Sequence, residues 1–253
     1  MKKKRILLKV GSNTLTKETD NISRGKIEDI ANQIAKLNDT CEFIIVSSGA
    51  IAVAKQFVKL ESKQSEIFVK QALASIGQPH LIRIYQEIFR EYGLLSSQCL
   101  LSYSDFEKQQ SKNNIVNTIN VLVNNNYIPI INENDTVATD EIQFGDNDKL
   151  AALTATLLNV DLLLIATNTN GVYTKESIKN NAPKTIQEVK NFEDLKNEVV
   201  NSKSSHGSGG MGSKIEAAEI SKNAHIETWI LNGLDDNFIT NAFENKVPFT
   251  KIK

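Results

Sequence analysis

At 253 residues the chain is long enough to bury a substantial core, and no Pro/Gly/Ser-rich linker divides it, so one domain is expected. Its 29 Lys and Arg stand against 30 Asp and Glu, a net charge of −1 that argues against nucleic acid as a partner. Behind Lys2, Lys3, Lys4 and Arg5 only Ile6, Leu7 and Leu8 precede Lys9, too short an apolar run for a signal peptide, and no stretch approaches the ~20 residues that span a bilayer; a cytoplasmic protein without a membrane partner is expected.

The first apolar run, residues 5–10, has the length of a buried strand and leads into Lys9, Val10, Gly11, Ser12 and Asn13. A strand lysine ordinarily reaches solvent, because Lys is rarely buried unpaired. Its place directly before Gly11 and Ser12 favours an anion-facing role instead. A helical pattern at 25–37 precedes a strand at 42–47, which runs out into Ser47, Ser48, Gly49 and Ala50 before a helix at 50–59. Both strand ends could offer free amides to a phosphate, since glycine allows close backbone approach and a helix start leaves N–H groups unpaired. A longer helical pattern at 69–92 contains Gly77 and Pro79, for which a kink or two shorter helices is expected. A strand at 94–101, a helix at 111–124 and a short apolar strand at 127–131 follow.

The most informative stretch comes next. Asn132, Glu133, Asn134 and Asp135 read as a loop after the strand, and Gly145, Asp146, Asn147, Asp148 and Lys149 lead into a helix at 147–158. Ligands of open α/β sheets sit at the carboxyl ends of strands, where such turns gather hydrogen-bonding groups. Capping, at about 0.3–1 kcal/mol, accounts for either Asp146 or Asp148 alone. It does not account for the amides and acid at 132–135, so a polar ligand site is expected here.

A strand at 161–166 delivers Thr167 and Asn168, after which residues 174–205, rich in Lys and Asn and weakly periodic, read as a mobile excursion over the sheet. Ser208, Gly209, Gly210, Met211, Gly212, Ser213 and Lys214 form a third small-residue turn, before a helix at 212–223. This is no Walker loop, because Ser213 separates Gly212 from Lys214. The final strand, 227–231, carries Trp229, read as core. The alternation implies a mostly parallel sheet covered by helices. Cys41 and Cys99 match neither a disulfide framework nor metal-ligand spacing, and His80, His206 and His225 are scattered.

The segments Leu8 to Ser12, Val46 to Ala52, Ile131 to Asp135, Gly145 to Asp148, and Gly209, Gly210, Met211 with Lys214 occur in one order. Together they resemble the amino acid kinase family, more closely its glutamate 5-kinase branch. The resemblance implies a three-layer α/β/α sandwich around about eight mostly parallel strands. Residues 1–160 would form the amino-acid side and 161–253 the nucleotide side of a single kinase domain, with nothing corresponding to the C-terminal PUA domain of many relatives. The implied reaction is ATP-dependent phosphorylation of the side-chain carboxylate of glutamate, which opens proline biosynthesis. By the same resemblance Ser48, Asp135 and Asn147 bind glutamate, while Lys9, Thr167, Asn168 and residues 208–214 bind ATP with its Mg2+. Lys9 and Lys214 look like the catalytic pair, oriented by Asp148. Homo-oligomers and feedback inhibition by proline are also implied. Asn168 stands where an aspartate is usual, which keeps hydrogen bonding and removes a charge.

Such chemistry explains why no candidate histidine is needed. A carboxylate nucleophile is already ionised at neutral pH and requires no general base. What it requires is positive charge, since two anions must approach one another. Kinases of N-acetylglutamate, aspartate or nucleoside monophosphates are the neighbouring readings, and a non-catalytic sensor of the same fold is the reading from another class. The arginines, Arg5, Arg24, Arg83 and Arg90, all lie outside the motif loops, which weighs against a bidentate nucleotide-phosphate clamp. Two motif lysines weigh against a mere sensor.

Overall fold

Apolar residues of the chain alternate between strand and helix periods, and the elements follow suit. The computed structural model describes residues 2–60, 66–138, 147–189, 191–198 and 210–253. In order these form β1 (Lys4–Val10), α1 (Ser12–Thr16), α2 (Arg24–Leu37), β2 (Cys41–Ser47), α3 (Ala50–Lys55), α4 (Ile67–Glu91) and β3 (Leu95–Leu101). A 3-10 turn at Tyr103–Phe106 precedes α5 (Gln109–Asn124), β4 (Tyr127–Glu133), α6 (Asp148–Leu158) and β5 (Leu162–Thr167). Then come α7 (Lys175–Lys179), β6 (Glu188–Val189), α8 (Phe192–Glu198), α9 (Met211–Asn223), β7 (Glu227–Asn232), α10 (Phe238–Phe243) and β8 (Thr250–Ile252).

Among the described residues the strands form one sheet in the order β3-β4-β2-β1-β5-β7-β8-β6. Only the β7–β8 pairing is antiparallel. The central strand β1 sets Lys9 beside Val46 of β2 and Ile165 of β5, so the carboxyl ends of all three open on one edge.

Strand geometry sends successive side chains to opposite faces, and the core divides accordingly. Ile6, Leu8 and Val10 pack with Ile27 and Ile30 of α2 and Tyr85 and Phe89 of α4. Leu7 instead joins Ile119 of α5, Leu150 and Ala151 of α6, and Ala217 and Ala218 of α9. The result is a three-layer α/β/α sandwich. Lys9, two residues after Leu7, therefore faces the α6 and α9 layer, whereas Ser47, following Ile45, faces α4.

Several expectations require correction. Of the two outcomes expected at Pro79, two shorter helices do not occur: α4 is one element of 25 residues. Losing a backbone bond at an internal proline costs ~3 kcal/mol, yet Leu73, Ala74, Leu81, Ile82, Tyr85, Ile88 and Phe89 are all buried along α4, and that burial outweighs the local defect. The strand at 127–131 continues through Asn132 and Glu133, which are thus strand residues at the sheet edge of the site rather than loop residues. Part of the excursion at 174–205 is built into the fold, because β6 pairs with β8 and Phe192 and Leu195 of α8 are buried. Trp229 is core, at 7% exposure.

Gly77 marks where α4 crosses α3. A Cβ there would lie 1.8 Å from the carbonyl oxygen of Ala50 and 2.8 Å from its carbon, both backbone atoms that cannot rotate aside. Gly77→Ala is therefore expected to destabilise the protein by roughly 1–3 kcal/mol through overpacking. In an exposed helix the same change would stabilise by about 1 kcal/mol, so urea unfolding that finds the variant more stable would contradict the close crossing.

Candidate active site

Lys9 leaves the end of β1 and its Nζ lies 2.6 Å from Oδ1 of Asp148, at the start of α6. Lys214, in the first turn of α9, reaches Oδ2 of the same carboxylate at 3.0 Å. Ser213 adds a third donor, its Oγ 2.9 Å from Oδ2. Asp148 is fully buried, and Lys9 and Lys214 are 2% and 7% exposed. Gly11 makes room for this arrangement, since a Cβ on it would stand 3.3 Å from the Lys9 ammonium. Burial opposes the charged form of Asp148, but the ammonium groups of Lys214 and Lys9 outweigh it and hold the carboxyl well below the usual range. The three groups alone sum to one positive charge, supplied by residues more than 200 positions apart. The N-caps of α6 and α9, Asn147 and Gly210, give no side-chain cap, which leaves first-turn amides available to an anion.

A second cluster adjoins the first through Asn147. Its Nδ2 donates toward the Ser47 carbonyl at 3.0 Å, Ser48 Oγ at 3.2 Å and Asn132 Oδ1 at 2.7 Å. Asn132 Oδ1 also accepts from the Glu133 amide at 2.9 Å, and its Nδ2 donates to Gln78 Oε1 at 2.8 Å. Behind the loop, Tyr85 on α4 meets Ser47 Oγ at 3.0 Å, and burial pushes the phenol up to about 12. The chain turns sharply after Ser48 because Gly49 adopts φ +108°, a conformation that side chains disfavour. One acceptor of this cluster, Asn147 Oδ1, is buried without a partner among the described residues, and so is Asp135 Oδ1, two residues beyond the end of β4. Burial raises the Asp135 carboxyl to about 6. Unsatisfied buried acceptors cost free energy, and a bound cation is the natural remedy.

Six of the sequence-derived site residues meet here. Lys9, Asp148, Ser213 and Lys214 form the ionic cluster, while Ser48 and Asn147 share the amide cluster. Asp135 follows the end of β4 and is 7% exposed. Thr167 ends β5 beside β1, and Asn168 is exposed, donating to Glu18 Oε1 at 3.0 Å rather than to either cluster. Gly210, Met211 and Gly212 open α9, with Met211 packed on its core layer. Gly145, Asp146, Ser208 and Gly209 lie outside the described residues, as does His206. His80 packs against Phe57 with the rings tilted and their centroids 4.5 Å apart, and both His80 and His225 are exposed.

Gln78 and Tyr85 escaped the sequence reading. One signal was present: a polar residue between Gly77 and Pro79 interrupts a long apolar helix face.

Comparison with known proteins agrees with this fold. The family described as "Amino acid kinase family" matches residues 4–232. The glutamate 5-kinase of Thermoanaerobacter sp. (strain X514) is 41% identical over 237 residues, 93% of this chain and 64% of that protein. The glutamate 5-kinase of Alkaliphilus oremlandii (strain OhILAs) is 36% identical over 251 residues, 98% of this chain and 95% of that protein. The chain thus spans about two thirds of the first relative's length, at 64%, and nearly all of the second's. Carbamate kinase from Giardia lamblia bound to AMP-PNP superimposes with a TM-score of 0.69 at 15% identity, over 99% of this chain and 98% of its own. UMP kinase from Ureaplasma parvum gives 0.67 at 17% identity over the full length of both. These two likenesses bear on the fold alone.

Proposed function

As the chain belongs to the amino acid kinase family, we propose that it is a glutamate 5-kinase, transferring the γ-phosphoryl group of ATP to the side-chain carboxylate of L-glutamate. The carrying observation is the buried Asp148 carboxylate held between Lys9 and Lys214, with an unpartnered acceptor, Asn147 Oδ1, in the adjoining amide cluster. One carboxylate oxygen of glutamate bonds to phosphorus as the bond to the ADP oxygen breaks. No proton need move. The Lys9 and Lys214 ammonium groups offset the negative charge of the approaching anions and of the departing ADP, while Asp148 keeps both amines in place.

Thr167, Asn168 and the turn into α9 are assigned to the nucleotide. Magnesium would accompany ATP as part of the substrate. Among the described residues no group of three His, Cys, Asp or Glu side chains is arranged to hold a metal, and both Asp148 oxygens already face lysines. Assembly into homo-oligomers and inhibition by proline belong to the same reading, and light scattering and a proline titration test them.

Asp135 and Asn147 are assigned to the free α-ammonium of glutamate, with Ser48 beside them. A buried carboxylate and an ammonium satisfy each other, whereas an acylated nitrogen brings no charge. ADP release measured side by side with glutamate, N-acetylglutamate, aspartate and UMP tests the reading. Turnover with glutamate is expected to exceed the others, and preference for any of them would overturn it.

A pH dependence follows from Asp135, whose carboxyl titrates at about 6 rather than at its ordinary 3.8. Only the ionised form attracts the ammonium, so KM for glutamate should rise as pH falls below about 6. For stability the sign is opposite. The folded state takes up this proton more readily than the unfolded chain, so the group's contribution declines as pH rises from 3.8 through about 6. Asp135→Asn should therefore raise KM for glutamate and abolish its acid rise without destabilising the unliganded protein at pH 7. An unchanged KM with the acid rise intact would remove Asp135 from the site.

A further inference from the structure

The amides around Asn147 form a chain with a direction. One end is fixed by the Ser47 carbonyl, which can only accept and so requires Asn147 to turn its Nδ2 toward it, at 3.0 Å. The other reference is the Glu133 backbone N–H, which can only donate and so requires Asn132 to present Oδ1, at 2.9 Å. Asn147 Nδ2 then donates to Asn132 Oδ1, and Asn132 Nδ2 is left as a buried donor that must find an acceptor. Gln78 Oε1 is that acceptor, 2.8 Å away from a helix on the far side of the loop. What is left over is Asn147 Oδ1, a buried acceptor without a partner among the described residues.

Helix α4 is shaped to put Gln78 there. Gly77 lets its backbone close on Ala50, and Tyr85, two turns on along the same face, meets Ser47. We infer that Gln78 is a positioning residue for substrate specificity: by accepting from Asn132 it keeps Asn132 Oδ1 on Asn147 Nδ2, so that the Asn147 amide is held with its oxygen left over for a substrate bearing a free ammonium. This rests on the glutamate kinase reading and adds to it the buried acceptor that completes the hydrogen-bond chain of the α-amino subsite. Without that acceptor Asn132 Nδ2 is a buried unsatisfied donor, and any rotation that relieves it draws Oδ1 off Asn147 Nδ2 and loosens the Asn147 amide in the subsite.

The test compares glutamate with glutarate, the same dicarboxylate without the amine, in wild type, Gln78→Met and Gln78→Glu. Methionine keeps the length and removes the acceptor, and glutamate keeps an accepting oxygen. Wild type should favour glutamate over glutarate in kcat/KM. Gln78→Met should reduce that ratio roughly tenfold, through KM for glutamate, with KM for ATP unchanged. Gln78→Glu should retain the ratio. A purely structural role would lower both substrates together and leave the ratio as it was, which overturns the inference. Loss of the ratio in Gln78→Glu overturns it too, and does so even if Gln78→Met fails to fold. A wild-type chain that does not turn over glutamate sinks the parent reading, a distinct result from an active enzyme with an unmoved ratio.

Discussion

Asp148→Asn is expected to destabilise the protein by about 3–5 kcal/mol, the usual consequence of removing one partner from a buried ion cluster. The carboxylate faces Lys9 at 2.6 Å and Lys214 at 3.0 Å, with all three side chains almost wholly inaccessible. An asparagine offers one oxygen acceptor, so one of the two ammonium groups would then face an NH2 group. Urea unfolding at pH 7 checks the magnitude. The pH dependence gives a second signature. The Asp148 carboxyl is held well below the ordinary range, against its burial, by Lys214 and Lys9. Its contribution is thus fully present above the unfolded value of about 3.9 and is lost only as pH falls through the still lower folded value. The gap between wild type and variant should accordingly stay constant from pH 7 to about 5 and close only in stronger acid. A gap that closes near pH 6, or no gap at all, would show that the carboxylate is not held as an ion between two lysines.

Lys214→Ala is expected to lower kcat roughly hundredfold, by analogy with removal of one preorganised donor, a loss of about 3 kcal/mol from transition-state stabilisation. The charge matters most as it develops on the migrating group, so KM for glutamate should change little. Stability should fall less than for Asp148→Asn, since Lys9 remains paired with the carboxylate. The double variant Lys9→Ala with Lys214→Ala should be slower than either single one by less than the product of the two losses, because both amines act on one group through one carboxylate. Steady-state ADP release decides the matter, and near-normal kcat in Lys214→Ala would remove this residue from the chemistry.

The fold was legible where burial produces long apolar patterns. The runs that became β1, β2 and β5 are buried on both faces, so they read as continuous apolar stretches without alternation. β6 and β8, of two and three residues, are too short to carry a pattern and exist because each completes the hydrogen bonds of the other. The same holds for α1 and α10, of five and six residues. α10 is anchored from outside itself: Gln33 of α2 accepts from the amides of Ile239 and Thr240 through Oε1 at 2.7 and 3.1 Å. Pro79 misled because local propensity is a few kcal/mol, while an apolar helix face of this length buries more than that.

Within the candidate site, polar residues gathered at strand ends and helix starts drew attention to Lys9, Ser48, Asp135, Asn147, Asp148 and Lys214, because capping accounts for one acid at such a turn but not for the whole group. Partnership was not legible. The pairing of Asp148 with Lys9 and Lys214 rests on two contacts made across the sheet edge, and Asn132 donates to Gln78 across 54 positions of chain. The amino-acid sequence by itself determined a mostly parallel sheet covered by helices and the edge of the sheet on which polar groups gather, since these follow from periodicities a few residues long. Only the tertiary structure decided which lysines share which carboxylate and which way the amides point, because hydrogen-bond direction and ion pairing depend on distances of a few ångströms between segments remote in the chain.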